Sequence, residues 1–281
     1  VYVLVGGVVT SGSKRWIYIG PISIQVSEFA KIAIIIVLAK YFESVKVSGQ
    51  YTLGDLVFPA LLTATLGGLI VVQPDLGTTM MILFIFLAFI VAIEINRLTL
   101  IKLFISGLAL APTLWFFLKD YQKARVKTLF NPDLDPLGAG YHSIQSKIAI
   151  GSGGFWGKGL FAGTQSRLNF LPEKHTDFIF SVFAEETGFL GVLLLISLFA
   201  FIILKGLNIA FRAADRFGFF LSLGLIMSIA FYIIFNVGMT IGIFPITGIP
   251  LPFVSYGGSS LITNYFAVGL LLNVEMRRTL H

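Results

Sequence analysis

The chain has 281 residues, of which 56% are hydrophobic and only 12% are charged, and its formal net charge is +6. So few charged residues cannot cover a soluble domain, in which about 25% of residues are charged. The basic residues are spread along the sequence, which argues against nucleic-acid binding. The lack of cysteine excludes disulfides and thiolate metal sites.

Apolar runs that could cross a bilayer, which takes about 20 residues, recur along the chain. We predict seven spans, near residues 27–44, 56–73, 77–95, 98–118, 178–204, 217–241 and 259–275, and the remnant of an eighth at 1–10. The break between the second and third spans is predicted at Pro74, because proline interrupts a helix. The expected fold class is an all-α polytopic membrane protein, N-terminally truncated, with a single transmembrane domain over residues 1–281.

Lys and Arg in the short loops predict the orientation of the spans, because these residues favour the cytoplasmic side. One side holds most of them: Lys40, Lys46, Arg97, Lys102, Lys205, Arg212, Arg216, Arg277 and Arg278. The short loops of the other side hold only Lys14 and Arg15. We therefore expect residues 119–177 to form a large extracytoplasmic loop. Within it, the alternation of polar and apolar residues over 141–150 predicts an amphipathic segment at the membrane interface.

Charged residues inside predicted spans are the first candidates for function, because charge in lipid is costly unless it is partnered. Glu28 and Lys31 are three residues apart and can pair on one helix face. A packing ion pair and a contact with substrate both stay open for them. Asp75 stands at the apex of a predicted hairpin, where the alternative to a functional role is an N-cap of the next helix.

The most informative segment is LPEKHTDFIFSVFAEETGF, at the end of the long loop. Asp177, Ser181 and Glu185 are spaced by four residues and predict a polar stripe on an apolar helix. Lys174 and His175 precede the stripe and could hold a phosphate or tune the carboxylate. A helix N-cap is the alternative, but the stripe and the adjoining cations favour function.

Two glycine-containing segments predict irregular structure. The run IGSGGFWGKG has the composition of a phosphate-binding loop but fits neither template, because Trp156 and Gly159 occupy key positions, so we expect a turn or lid. Residues 242–260 carry no charge and three prolines, which predicts a re-entrant segment lining a cavity. The histidines show no metal-ligand spacing, so no metal site is predicted.

Five motifs, in order along the chain, resemble the SEDS family (shape, elongation, division and sporulation), and the long loop is most similar to its RodA branch. They are VSEFAK, QPDLGTT, NPDLDPLGAGYHSIQSKIAIGSGG, GTQSRLNFLPEKHTDFIFSVFAEE and GIPLPFVSYGGSS. Family members have ten spans, so this chain would lack the first two and part of the third. The resemblance implies an inverting peptidoglycan glycosyltransferase that polymerises lipid II on the outer face of the bacterial cytoplasmic (inner) membrane, for cell elongation and shape.

The resemblance also implies roles for particular residues. It places the essential aspartate at Asp177, and a positioned carboxylate can take the proton of the attacking sugar hydroxyl. It places further substrate-binding positions at Trp16, Glu28, Lys31 and Asp75. The leaving diphosphate needs cations, for which the candidates are Arg15, Lys31, Arg167 and Lys174. His175 and Ser255 complete the predicted substrate-binding set.

The expected partners are lipid II, membrane lipid and a class B penicillin-binding protein, which would supply transpeptidation. The sequence specifies no cofactor and leaves a divalent cation open. Two other functions also stay open. One is a lipid II flippase or transporter, which intramembrane charges also suit. The other is a non-catalytic scaffold for a penicillin-binding protein.

Overall fold

The computed structural model describes residues 8–10, 13–19, 22–45, 50–73, 75–117, 119–136, 138–167, 170–171, 173 and 175–278. Helices dominate this part of the chain. In chain order they are α1 Val26–Ser44, α2 Leu53–Val72, α3 Leu76–Ala92, α4 Arg97–Phe117, α5 Asp120–Phe130, α6 Ala139–Ser152, α7 Thr164–Arg167, α8 Ile179–Phe211, α9 Arg216–Thr240 and α10 Gly258–Arg278.

Each predicted span coincides with one of these helices, and the expected all-α polytopic class is confirmed. The largest difference lies in α8, which continues to Phe211 instead of ending near residue 204. Among the described helices, α2, α8 and α9 are long and apolar enough to cross a membrane. Helix α3 is also apolar but has 17 residues. Helix α2 ends at Val72 and α3 begins at Leu76, so the break between them lies where the sequence predicted it.

Residues 8–25 contain a small antiparallel sheet that the sequence did not lead us to expect. Its strands are β1 Val8–Thr10, β2 Ser13–Ile19 and β3 Ile22–Gln25, in the order β1-β2-β3. The prediction of a partial span over residues 1–10 is therefore wrong for residues 8–10, and residues 1–7 lie outside the described part. The physical reason is that β-branched and aromatic residues in β2 and β3 favour strands and offer β1 a pairing edge.

The chain divides into two compact units. Unit 1 comprises Val1–Leu100, Ile202–Phe231 and Gly257–His281, and unit 2 comprises Ile101–Phe201 and Tyr232–Tyr256. In unit 1, the ring of Phe42 lies 5.8 Å from that of Phe89 and 5.4 Å from that of Phe220, which joins α1, α3 and α9 in one aromatic core.

Unit 2 contains the long loop 119–177, and the described part of this loop is largely helical. It holds α5, a short 3-10 helix at Pro132–Leu134, α6 and α7. The predicted amphipathic stretch 141–150 lies within α6, and its buried Ala149 packs with Leu171 and Phe178. Residues 241–257, which connect α9 to α10, have no regular secondary structure. These two segments surround the start of α8.

Candidate functional site

Glu28 and Lys31 form an ion pair in the first turns of α1, in unit 1. The Lys31 Nζ lies 2.7 Å from Glu28 Oε2, and each residue is only 3% exposed. The hydroxyl of Thr263, on α10, donates a second hydrogen bond to the same carboxylate oxygen, at 2.9 Å. The predicted pairing is confirmed. A buried carboxylate with a cation and a hydroxyl on one oxygen is well compensated.

Asp75 is the N-cap of α3, as the alternative interpretation of this residue predicted. Its Oδ1 accepts a hydrogen bond from Thr78 N at 3.1 Å, and its Oδ2 accepts one from the Thr78 hydroxyl at 2.9 Å. Oδ2 also accepts from the hydroxyl of Ser27, on α1, at 3.3 Å. Asp75 therefore fixes the start of α3 and ties it to the turn of α1 that carries Glu28.

The remaining predicted residues near the N-terminus belong to the sheet that leads into α1. Trp16 is partly buried and pairs with Gln25 across β2 and β3. The backbone amide of Gln25 donates to Ser259 Oγ at 3.0 Å, so β3 is attached to the start of α10.

The predicted diphosphate contacts Arg15, Arg167 and Lys174 are described only in part. Arg15 lies in β2 and Arg167 ends α7, but their side chains lie outside the described part, as does the whole of Lys174.

Asp177 lies in a turn directly before α8, in unit 2. Three donors hold the backbone of this turn, and together we name them the carbonyl clamp: Asn236, Ser255 and Tyr256. Tyr256 N donates to the carbonyl of residue 175 at 2.9 Å, Ser255 Oγ to that of residue 176 at 2.6 Å, and Asn236 Nδ2 to that of residue 177 at 3.0 Å. Three successive carbonyls are thus fixed by residues from α9 and from the segment that follows it.

Asn236 connects the turn to a second segment. It is fully buried, and its Nδ2 also donates to the carbonyl of Ile249 at 2.7 Å. The adjacent Gly248 lies over the Asp177 side chain, since a Cβ built there would be 3.3 Å from Asp177 Oδ2. The clamp therefore positions both the carboxylate and the backbone that covers it.

The surroundings of Asp177 favour its neutral form. Burial, and after it the charge of Glu173, raise the pKa of this carboxyl from 3.8 to about 6. The charge of Arg125 and a hydrogen bond from Thr176 act in the opposite direction on the same pKa. A carboxylate with a pKa near 6 is still ionised at neutral pH and is a stronger base than an ordinary aspartate.

The N-cap alternative does not describe Asp177. Helix α8 begins at Ile179, so the N-cap position falls on Phe178, whose carbonyl accepts from Ser181 N at 3.0 Å and Val182 N at 3.2 Å. His175 has an exposed side chain in the same turn. Ser255, predicted as a substrate contact, uses its hydroxyl for the clamp and accepts from Leu251 N at 2.7 Å.

The other two members of the predicted polar stripe make contacts within the protein. The Ser181 hydroxyl lies 2.7 Å from that of Ser146, which donates to the carbonyl of Thr240 at 2.6 Å. Glu185 is fully buried and its Oε1 lies 2.7 Å from Lys158 Nζ. Of the stripe, Asp177 alone stands at the end of the helix, in the turn.

Sequence reasoning missed Asn236, Arg125 and Gly248. Asn236 had a detectable signal, because it is a lone amide in the apolar run FYIIFNVGMT, and polar residues in such helices usually bind another segment. Arg125 had none, since it is one of three basic residues on the same short helix, with Lys123 and Lys127. No group of three or more metal-ligating side chains occurs within the described ranges.

These features define a polytopic helical membrane protein with a clamped carboxylate at the start of an apolar helix. Residues 1–280 match the Cell cycle protein family of FtsW, RodA and SpoVE. The peptidoglycan glycosyltransferase MrdB of Escherichia coli K12 is 43% identical over 281 residues, which cover 97% of this chain and 73% of MrdB. The peptidoglycan glycosyltransferase RodA of Treponema pallidum is 35% identical over 350 residues, covering 99% and 80%.

Two solved structures share the fold. A chain of a peptidoglycan synthase complex that coordinates polymerization and crosslinking matches with a TM-score of 0.82 and 32% identity, over 99% of this chain and 77% of that chain. The crystal structure of the rod shape determining protein RodA of Thermus thermophilus matches with a TM-score of 0.69 and 31% identity, over 98% and 73%. The chain belongs to the FtsW, RodA and SpoVE family.

Proposed function

We propose that this chain is a peptidoglycan glycosyltransferase that polymerises lipid II at the outer face of the bacterial cytoplasmic membrane, with Asp177 as the general base. The observation that carries the proposal is the geometry of the turn. Its backbone is fixed at three successive carbonyls, while the carboxylate lies in surroundings that raise its pKa to about 6. Fixed position and raised basicity are what a general base requires.

The proposed reaction is a single displacement with inversion. The acceptor sugar hydroxyl attacks the anomeric carbon of the donor, a new C–O bond forms, and the bond to the lipid-linked diphosphate breaks. Asp177 takes the proton of the hydroxyl and later releases it to water. This route needs no second catalytic carboxylate of the glycosidase kind, which fits the contacts of Glu185 with Lys158.

The leaving diphosphate needs positive charge, and Arg125 is a described cation that acts on Asp177. It also lines a shallow cavity with Ser143, Phe244 and Pro245, in the same unit. We add it to the proposed diphosphate contacts Arg15, Lys31, Arg167 and Lys174. Trp16, Glu28, Lys31, Asp75 and His175 remain proposed substrate contacts.

A partner penicillin-binding protein is part of the proposal. The similar chain of the solved synthase complex belongs to an assembly that coordinates polymerization and crosslinking, and it covers 99% of this chain. Polymerisation would then be the task of this chain, and cross-linking that of its partner. A lipid II transporter and a non-catalytic scaffold are the competing functions.

Glycan-strand formation from lipid II by purified protein in detergent tests the proposal, because no membrane then separates two sides for a transporter. We expect strands from the wild type and a loss of about 10²–10⁴-fold in turnover for Asp177→Asn. Asp177→Glu should be nearly as poor, since one methylene moves the base by about an ångström. The matched control is Asp133→Asn, an exposed aspartate of the same loop, which should keep wild-type turnover.

Two outcomes contradict the proposal. Strand synthesis by Asp177→Asn within a few-fold of wild type would show that Asp177 is not the general base. A folded wild type that makes no strands in detergent, with or without the partner, but moves lipid II across vesicle membranes would support a transporter instead.

A further inference from the structure

We propose that residues 153–163 form a lipid-interface anchor, which inserts its aromatic side chains into the headgroup–acyl boundary of the bilayer beside α8. We name this segment the aromatic anchor. It includes residues 153–159 of the glycine-rich run that fits no phosphate-binding template, and the proposed reaction makes no use of it. The inference is therefore independent of the role of Asp177.

The aromatic anchor is hydrogen-bonded to a break in α8. Gly188 has a φ of 66° and a ψ of −163°, which interrupts the helix. The backbone groups around the break pair instead with the anchor: Lys158 N with Glu185 O at 3.0 Å, Gly159 N with Glu186 O at 3.0 Å, Phe189 N with Gly154 O at 2.9 Å and Leu190 N with Phe155 O at 3.3 Å. Non-helical backbone enters the membrane region only when its polar groups are paired in this way.

Glycine is required on both sides of this contact. A Cβ at Gly157 would overlap the carbonyl of Glu186, and a Cβ at Gly188 would overlap the backbone amide of Gly157. The two segments therefore approach more closely than any other residue type would allow. This close packing fixes the anchor on α8, and residues 153–156 form a turn, as the sequence predicted.

The anchor contains a single charge, and that charge is neutralised. Lys158 is the only charged residue among residues 153–163. Its Nζ lies 2.7 Å from Oε1 of the fully buried Glu185. The same carboxylate oxygen accepts from Thr164 N at 2.8 Å. The lysine is thus directed towards α8 and leaves an apolar surface on the other side of the segment.

This apolar surface consists of large exposed side chains. Trp156 is 78% exposed, Leu160 72% and Phe161 82%. Phe161 adopts a φ of 59°, which is unfavourable for a bulky residue and indicates a local constraint on the backbone. Exposed apolar clusters of this kind mark interaction sites, and tryptophan is enriched at the membrane–water interface.

The apolar surface of the anchor is continuous with the membrane-facing side of α8, which identifies lipid as the material that covers it. The ring of Phe155 stacks on that of Phe189 on α8, with centroids 5.7 Å apart and an angle of 24°. Phe189 begins an exposed apolar face that continues along this candidate span through Leu193, Leu194 and Leu198. Lipid covers such a face of a span. The anchor continues this face, so it also contacts lipid, at the level of the break in α8.

Spin labels in lipid nanodiscs test the inference, and the lack of cysteine in this chain gives single labelling sites. Labels at Trp156→Cys and Phe161→Cys should collide more often with oxygen than with a water-soluble nickel chelate, at a depth of about 5–10 Å. A label at Asp133→Cys, an exposed position of the same loop, should show the opposite preference. Thermal unfolding of each labelled variant checks that it is folded.

Two results would overturn the anchor. Labels at both positions that prefer the nickel chelate, as the control does, would place the segment in water. Labels shielded from both reagents would show that protein covers it. Native Trp156 provides a second measurement that introduces no cysteine: brominated lipids should quench the wild type more than Trp156→Phe, and equal quenching would also contradict the proposal.

Discussion

Glu28 in unit 1 and Asp177 in unit 2 are both carboxylates near the start of an apolar helix, and the structure surrounds them in opposite ways. At Glu28 the hydrogen bonds go to the side chain. The Nζ of Lys31 and the hydroxyl of Thr263 both lie within 2.9 Å of one carboxylate oxygen. The negative charge is compensated directly at the carboxylate.

At Asp177 the hydrogen bonds of the carbonyl clamp go to the backbone instead. Burial and, to a smaller extent, the nearby charge of Glu173 disfavour the negative charge, so the pKa of the Asp177 carboxyl is raised. A position fixed through the backbone leaves the side chain able to change its protonation. In the proposed mechanism, the first carboxylate therefore holds helices together and the second takes up a proton.

The largest effect on stability is expected at the ion pair of unit 1. Lys31→Met removes the cation 2.7 Å from a buried carboxylate, and this should lower the free energy of unfolding by about 3–5 kcal/mol. The double variant Glu28→Gln/Lys31→Met should recover part of the loss, because it removes both charges. Thermal and denaturant unfolding in detergent measure both effects.

An exposed pair with the same spacing provides the control. Lys40 and Glu43 are also 2.7 Å apart on α1, but their side chains are 68% and 33% exposed. Lys40→Met should therefore change the free energy of unfolding by at most about 1 kcal/mol. Equal losses for Lys31→Met and Lys40→Met would remove the distinction between the two pairs.

The carbonyl clamp should affect turnover more than binding. Asn236→Leu removes the hydrogen bonds to the carbonyls of residues 177 and 249, and a shift of the turn by about 1 Å can lower kcat by up to about 10²-fold. The KM for lipid II should change little. If the segment carrying Gly248 also moves away, water reaches Asp177 and its pKa falls towards 3.8. The acid limb of the pH–rate profile should then move to lower pH.

Asn264→Leu is the matched control for this variant. Asn264 is a buried asparagine on α10, and its amide makes a 3.4 Å hydrogen bond to Ser260. Its kcat should stay near that of the wild type. A loss of unfolding free energy in Asn236→Leu without any change in kcat or in the pH profile would make the clamp purely structural.

The smallest effect is expected at Asp75. Asparagine is as good an N-cap as aspartate, so Asp75→Asn should keep the free energy of unfolding nearly unchanged. Asp75→Ala removes the hydrogen bond to Thr78 N and should lower it by about 0.5–2 kcal/mol. Thermal unfolding and strand synthesis are measured together. A turnover loss in Asp75→Asn as large as that in Asp177→Asn would assign chemistry to this hairpin as well.

Local patterns predicted the helices and some of the contacts. Apolar runs located the spans, and the three-residue spacing of Glu28 and Lys31 predicted their ion pair. The proline before Asp75 predicted the break between two helices, and Asp75 caps the second of them. Each of these features depends on residues that are close together in the sequence. The sheet at residues 8–25 was missed because the valine-rich start was judged by its composition, while its structure depends on pairing with β2.

The carbonyl clamp could not be predicted in the same way. Asn236 and Ser255 bind residues that precede them by 59 and 79 positions, and no local periodicity encodes such contacts. The docking of the aromatic anchor was missed for a related reason. The break that receives it is made by Gly188 alone, and a single glycine in a helical pattern signals no break.

The pH dependence of turnover, in the wild type and in Asp177→Asn, tests the central claim most directly. The pKa of Asp177 in the ligand-free protein is raised to about 6, so kcat/KM should fall about tenfold per pH unit below that value and level off above it. The folded state binds this proton more tightly than the unfolded state does. Its contribution to stability therefore decreases as pH rises from 3.8 to about 6, while activity increases. The residual turnover of Asp177→Asn should show no acid limb. An unchanged limb in Asp177→Asn, or a wild-type kcat/KM that stays constant through this range, would contradict the account.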